Sequence, residues 1–308
     1  MYVPFLYGRA NELLALRDLT DVALAQPVSP AIEALKSDPA SLVRAIDAMS
    51  TAGIVSSVVM NPSARELSTS RTLAAWSAAV RGAAGFASVR PAISLESTTS
   101  LGDVEAFVTE YAQRPITFVA RSGVIPAVQL AAAAAKADVL VLVHHNLAAS
   151  DYDAAFGVDR VIPLTNSFTP QPRNVDYSED DWFSTAATSY GGSGRPGFGD
   201  YTVLDPAVRD TRGGAPGAVV IHATYIDGGG ALWVRHFLSD SVIQGEISVG
   251  EKLLQAMGKL QSDRAMFLTS PGMSSYDVQY ATRRETALGT NKRQQISHHI
   301  YTTLAAIR

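Results

Sequence analysis

The sequence predicts an α/β chain folded as a (β/α)8, TIM-like barrel with a long insertion after the seventh strand. Three observations carry that reading. Short β-branched runs alternate with longer Ala/Leu-rich amphipathic stretches, which is the pattern of βαβ units and a parallel sheet. Eight such units, most about 25 residues apart, suit a closed barrel. Of the 308 residues, 47% are apolar, enough for a large core. An open doubly wound sheet is the alternative, although no GxGxxG motif follows the first strand.

The elements follow in order. The run 2–6 (YVPFL) leads into helical ELLALRDL at 12–19, then a strand at 28–32 into a helix at 42–49, and 55–60 into a helix at 71–81. Strand 91–95 leads into a helix at 101–112, 116–120 into 124–136, and 139–143 into a short helix at 152–156. The seventh strand is 161–164 and the eighth 219–224. A further run, 232–238, pairs with the eighth through the turn at Gly228–Gly230. If 266–269 closed the barrel instead, 2–6 would be an extension.

The chain is read as a single barrel domain, 1–308, with 165–217 as a Gly/Pro-rich loop. A connection of that length in a compact domain is usually functional. Because it follows a strand, it is expected over the carboxyl-end mouth, as a lid that aims Asp200 inward at an arginine or histidine.

Composition narrows the function. With 25 basic and 29 acidic residues the formal charge is -4, which lacks the basic footprint of a nucleic-acid binder. Cysteine is absent, removing disulfides, zinc–thiolate sites and Fe–S clusters. The segment 1–9 has no basic region followed by an apolar stretch, and no apolar run reaches the roughly 18 residues that span a bilayer. A cytoplasmic location without membrane attachment is expected.

Barrel enzymes assemble their sites from residues at the carboxyl ends of the strands. The first polar residues after the runs are Arg9, Glu33, Asn61, Glu96, Arg121, His144, Asn166 and His222. Strands also end in polar residues simply because they meet water, but two Arg, two Glu and two His together suit acid/base chemistry. Of His144 and His145 only one can face the mouth, and His144 is the choice; a structural histidine is the competing reading. No HExxH or similar spacing supports a metal site, and no cofactor is implied. The insertion adds Arg173 and Asp176, with an ordinary surface pair as alternative, and Asp200-Tyr201 after Gly199. Arg235 and His236 alternate on the 232–238 strand. His298-His299 reads as a packed or solvated pair.

The opening YVPFLYGRANELLALRDL with PAIEAL, the RNVDY and GFGDYT motifs, IHATY followed by VRHF, and the late HHI run in order along nearly the whole chain. Together they resemble the bacterial and phage beta-protein family. The resemblance implies a barrel fold, a phage-defence or mobile-element setting and a nuclease-like partner protein, but no reaction. This chain departs from the family by lacking a proline after Glu33 and by carrying Asn166 where an acidic residue is expected.

Two functions compete. One is a hydrolase-like enzyme acting on a phosphate-bearing or nucleotide-like ligand. Arg9, Arg121 and Arg235 would clamp the small anionic ligand, with Glu33 or Asp200 as base and His144 or His222 as acid. Asn61, Glu96, Asn166, Arg173, Asp176, Tyr201 and His236 would complete the ligand site. The other is a non-catalytic subunit that holds the nuclease-like partner.

Overall fold

The computed structural model describes residues 1–22, 24, 27–205 and 216–307. Its contacts separate into two compact units. The first comprises Met1–Leu13, Gln26–Asn166 and Ser189–Tyr201; the second comprises Leu14–Ala25, Ser167–Thr188 and Thr202–Arg308. The expectation treated all of this as one domain. Residues 206–215 of the expected lid lie outside the described residues.

The first unit is a closed, all-parallel barrel ringed by helices. Its first seven strands are β1 (Tyr2–Leu6), β2 (Ala31–Ile32), β3 (Ser56–Val59), β4 (Val89–Leu95), β5 (Ile116–Ala120), β6 (Val139–Val143) and β7 (Val161–Thr165). Between them in the chain run α1 (Ala10–Asp18), whose residues from Leu14 onward are assigned to the second unit, and α2 (Ala40–Thr51), α3 (Ser70–Arg81), α4 (Leu101–Glu110), α5 (Ala127–Ala133) and α6 (Ala149–Phe156). Local chemistry sets the helix starts. Thr69 caps α3 by accepting from the Thr72 amide, and Ser100 with Asp103 forms a capping box on α4.

The barrel is filled by every second residue of its strands: Val3, Phe5 and Tyr7 from β1 and the residue beyond it, with Ala31, Val59, Ala92, Val119, Leu142 and Leu164 from successive strands. Ser57 and Thr117 bond at 2.9 Å between β3 and β5. These strands are not neighbours, so the bond crosses the interior.

The eighth strand corrects the sequence reading. It is not 219–224 but a three-residue segment inside the insertion, Phe198–Asp200. It pairs with β1 through Tyr2↔Phe198 and Pro4↔Asp200, and with β7 through Leu164↔Gly199. In chain order this strand is β9, because β8 (Asp180–Ser184) and α7 (Ala186–Ser189) precede it. The glycines are needed where they stand. A Cβ on Gly199 would lie 2.6 Å from the Val3 carbonyl oxygen, and one on Gly197 would lie 2.1 Å from that of Met1.

The run 219–224 belongs to the second unit. There β10 (Val220–Ile226) and β11 (Leu232–Leu238) form the expected hairpin, and β11 also pairs antiparallel with β8, giving the order β10-β11-β8. One face of this sheet packs on α8 (Val249–Ser262) and α9 (Pro271–Ala281), through Val219, Ile221, Ala223, Phe237, Leu253 and Met257. The last helix, α10 (Leu288–Ala306), is buried along much of its length despite its polar sequence. Its polar groups satisfy sheet carbonyls: Asn291 donates to Val220 at 2.9 Å, and His298 Nε2 bonds the Thr224 carbonyl at 2.8 Å. The candidate strand at 266–269 is not one; a 3-10 turn at Arg264–Met266 precedes a non-strand segment. No described helix is long and apolar enough to cross a membrane.

Candidate functional site in the barrel mouth

Strand alternation carries the interior positions one step past the packed layers. It brings Glu33, Asn61, Glu96, Arg121, His144 and Asn166 to the carboxyl end, where the sequence placed them. Glu33 is 1% exposed and accepts from Arg121 Nη2 at 2.6 Å. It also accepts from the Ser63 amide at 3.2 Å and the Ser63 hydroxyl at 3.0 Å. Glu33 follows β2 and Arg121 follows β5, so this ion pair spans the barrel.

Glu96 Oε1 stands 3.6 Å from Arg121 Nε and accepts from the Ser94 hydroxyl at 2.7 Å. Arg121 also lies over the rings of Phe5 and Tyr7, at 5.1 and 5.8 Å. Burial disfavours its charge, but Glu33, Tyr7 and Glu96 together outweigh that, and its pKa is raised.

His144 connects this charged layer to an opening. Its Nδ1 bonds Asn146 Oδ1 at 2.6 Å, and its ring meets Tyr201 edge-on at 5.5 Å. It lines a cavity of about 390 Å³ with His145, Leu147, Thr165 and Asn166. Burial is the largest influence on its pKa and lowers it below the ordinary 6.5, against the pull of the Asn146 bond. At neutral pH the imidazole is therefore uncharged and able to accept a proton. Tyr201, packed against Phe5 and both histidines, is pushed up by burial and stays a phenol. Its hydroxyl and Arg121 Nε are buried with no hydrogen-bond partner among the described residues.

Other expected members are placed differently. Asn61 is turned into the wall, where its amide exchanges two bonds with the Ser94 backbone at 2.9 and 2.7 Å. Arg9 lies at the start of α1 and pairs with Glu12 at 3.3 Å. Asp200 does not face the mouth. Gly199 and Tyr201 take the interior positions, so Asp200 points outward and accepts from the Tyr2 hydroxyl at 2.7 Å. The lid expectation, with Asp200 bonded to an arginine or histidine of the mouth, fails on that parity.

His222, Arg235, His236, Arg173 and Asp176 belong to the second unit and are not on barrel strands. His222 and His236 face each other across the β10–β11 pair, Nδ1 to Nδ1 at 2.7 Å. Arg235 donates twice to Asp180, at 2.9 and 2.6 Å, and once to Asp263 at 2.8 Å. Arg173 and Asp176 form an exposed pair three residues apart. His298 and His299 are packed, one of the two placements the sequence left open.

Tyr7 and Ser63 were missed by the sequence reading, though the alternation Val3, Phe5, Tyr7 marks the first of them. Among the described residues no group of three or more His, Asp or Glu is arranged to hold a metal ion. No protein-family model matches the chain, and no curated protein matches it either.

Proposed function

We propose that the barrel mouth is an active site for general acid/base chemistry on a small polar ligand, with His144 as the proton-transfer group. One observation carries this reading: a histidine kept neutral by burial lines an open cavity and touches a layer where Glu33, Glu96, Arg121 and Tyr201 converge. Neutral imidazole is the form a general base needs, and burial keeps His144 in that form. The carboxylates and Arg121 fix the field around it. Tyr201 supplies a neutral hydroxyl donor.

The three-arginine clamp for a phosphate is not supported by these contacts, since Arg9, Arg121 and Arg235 are each paired with carboxylates. No lysine or arginine lines the cavity. A nucleotide-like ligand would accordingly be held by its base and sugar, through the imidazoles, the Asn166 amide and the Thr165 hydroxyl. The resemblance to the beta-protein family adds a phage-defence setting to this reading.

The test is turnover of a metabolite extract followed by untargeted mass spectrometry. The wild type should deplete at least one species, and His144→Gln should lose that turnover by about 100-fold or more with an unchanged melting temperature. Because His144 acts in its neutral form, the rate should fall on the acid side, with a midpoint below 6.5. Equal turnover by His144→Gln would sink the assignment. A second reading, a non-catalytic subunit for a nuclease-like partner, draws on one feature of the barrel unit. Val124 and Val128 are 62% and 67% exposed beside a cleft of about 660 Å³ lined by Ile125, Leu147 and Tyr152. Absence of any turnover, with a polypeptide co-purifying in fixed ratio, would favour it.

A further inference from the structure

A pocket of about 270 Å³ lies wholly within the barrel unit and shares no lining residue with the His144 cavity. It is built from the connections that follow β1, β2 and β3 and from the helices they lead into. Leu13, Leu42 and Trp76 form its buried end, and Lys36, Ser37 and Glu66 stand exposed at its rim.

Three features of this pocket point to a ligand. The first is a buried donor: Trp76 is 2% exposed, and its Nε1–H has no hydrogen-bond acceptor among the described residues. Folded proteins almost always satisfy such a group. The second is a set of donors already gathered on a carboxylate. Glu66 accepts from Lys36 Nζ at 2.6 Å, from the Ser37 amide at 3.1 Å and from the Ser37 hydroxyl at 3.3 Å. These donors, Lys36 foremost, hold its carboxyl below the ordinary carboxylate range. Glu66 itself is exposed, on the turn Arg65–Leu67, so its pairing with Lys36 is weak and easily exchanged. The third is the start of α2. Ser41 and Leu42 of its first turn line the pocket, Pro39 gives the helix no side-chain cap, and no acidic residue lies in that turn. Asp38 accepts from the Ala40 amide at 3.0 Å. A helix start of this kind favours negative charge.

Donors that already collect a carboxylate, a helix start beside them and an unfilled indole N–H at the buried end together suit an organic acid. We propose that this pocket binds a small carboxylic acid, whose carboxylate takes Lys36 and Ser37 over from Glu66 and whose body carries a second oxygen to Trp76 Nε1. The carbon chain between the two oxygens lies against Leu13 and Leu42. Glu66 is the placeholder that the acid displaces into solvent. A cation does not fit this arrangement, because it would have to displace Lys36 and would leave the indole donor unfilled.

The test is a titration of the whole nitrogen-15-labelled protein with succinate, reading the indole N–H resonances of its three tryptophans, with Trp76→Phe assigning the Trp76 signal. Sodium chloride at equal ionic strength is the blank, and succinamide is the uncharged control of similar shape. The Trp76 signal should move downfield and saturate with succinate, while those of Trp182 and Trp233 stay in place. Succinamide should be silent. Lys36→Met should weaken binding by about tenfold or more. Glu66→Gln should tighten it by about threefold or more, because the competing carboxylate is gone. Both residues are exposed, so the backbone amide spectrum away from the pocket should be unchanged in either variant. If succinamide acts like succinate, if Glu66→Gln binds no more tightly than the wild type, or if the Trp76 signal does not move, the proposal is overturned.

Discussion

Asp200 and Tyr201 are adjacent in sequence, yet they serve opposite sides of the barrel wall. Tyr201 enters the mouth beside His144, while Asp200, only 2% exposed, holds the Tyr2 hydroxyl on the outer side. Asp200 is therefore a structural carboxylate, and its substitution should read out in stability. We expect Tyr2→Phe to cost about 1–3 kcal/mol, because a buried carboxylate loses a donor. Asp200→Asn should cost a similar amount, and the double variant should cost less than the two together. Urea denaturation of the four proteins measures this; strict additivity would show that the two groups act independently. Residue-level parity also explains what the sequence could tell. Glu33, Glu96, Arg121 and His144 each stand an even number of positions beyond an interior residue of a well-marked strand, so their common direction was readable. Asp200 sits on a strand that was not recognised, and its parity was unreadable for that reason.

The unrecognised element is β9. Strand propensity reflects side chains that fit a pleated, half-buried surface, and Phe-Gly-Asp offers little of that. The run 219–224, rich in β-branched residues, looked far more like a closing strand, and it became an edge strand of another sheet. What marks β9 is close approach. Between β1 and β7 there is room for backbone but not for a side chain at Gly199, whose added Cβ would meet Leu164 and the Val3 carbonyl, each at 2.6 Å. The glycines of GFGD read as a flexible ligand loop when their use is steric. Gly199→Ala should accordingly destabilise the barrel by about 1–3 kcal/mol. Gly191→Ala, in the same insertion but with nothing within 4 Å of the added Cβ, should change stability by less than about 0.5 kcal/mol. Urea midpoints for the two variants test the contrast, and equal effects would mean that the Gly199 site relaxes without strain.

The two units differ in how they should respond to acid. In the second unit His222, His236 and His298 are all buried, and desolvation lowers the pKa of each, to about 3 for His298. In the barrel unit the shifted histidines, His144 and His145, are half-buried and exposed, so solvent screens much of any effect on folding. The sign follows from proton binding. Above the ordinary value of 6.5 neither the folded nor the unfolded chain holds a proton on His298. Below it the unfolded chain gains one that the folded chain refuses, so stability falls with pH until the folded value near 3 is reached. For His298 alone the loss between 6.5 and about pH 5 is about 2 kcal/mol, and His222 and His236 add to it in the same direction. Tryptophan placement lets each unit report on itself: Trp76 lies in the barrel unit, and Trp182 and Trp233 lie in the other. A Trp76→Phe variant reports the second unit, and a Trp182→Phe, Trp233→Phe double variant reports the barrel. As pH is lowered, emission from Trp182 and Trp233 should change at a higher pH than emission from Trp76. Replacing His298 by Gln, whose amide keeps hydrogen-bonding groups but does not titrate, should narrow the gap. Coincident transitions in the two reporters would show that acid unfolding is a single event and that the buried histidines do not localise it.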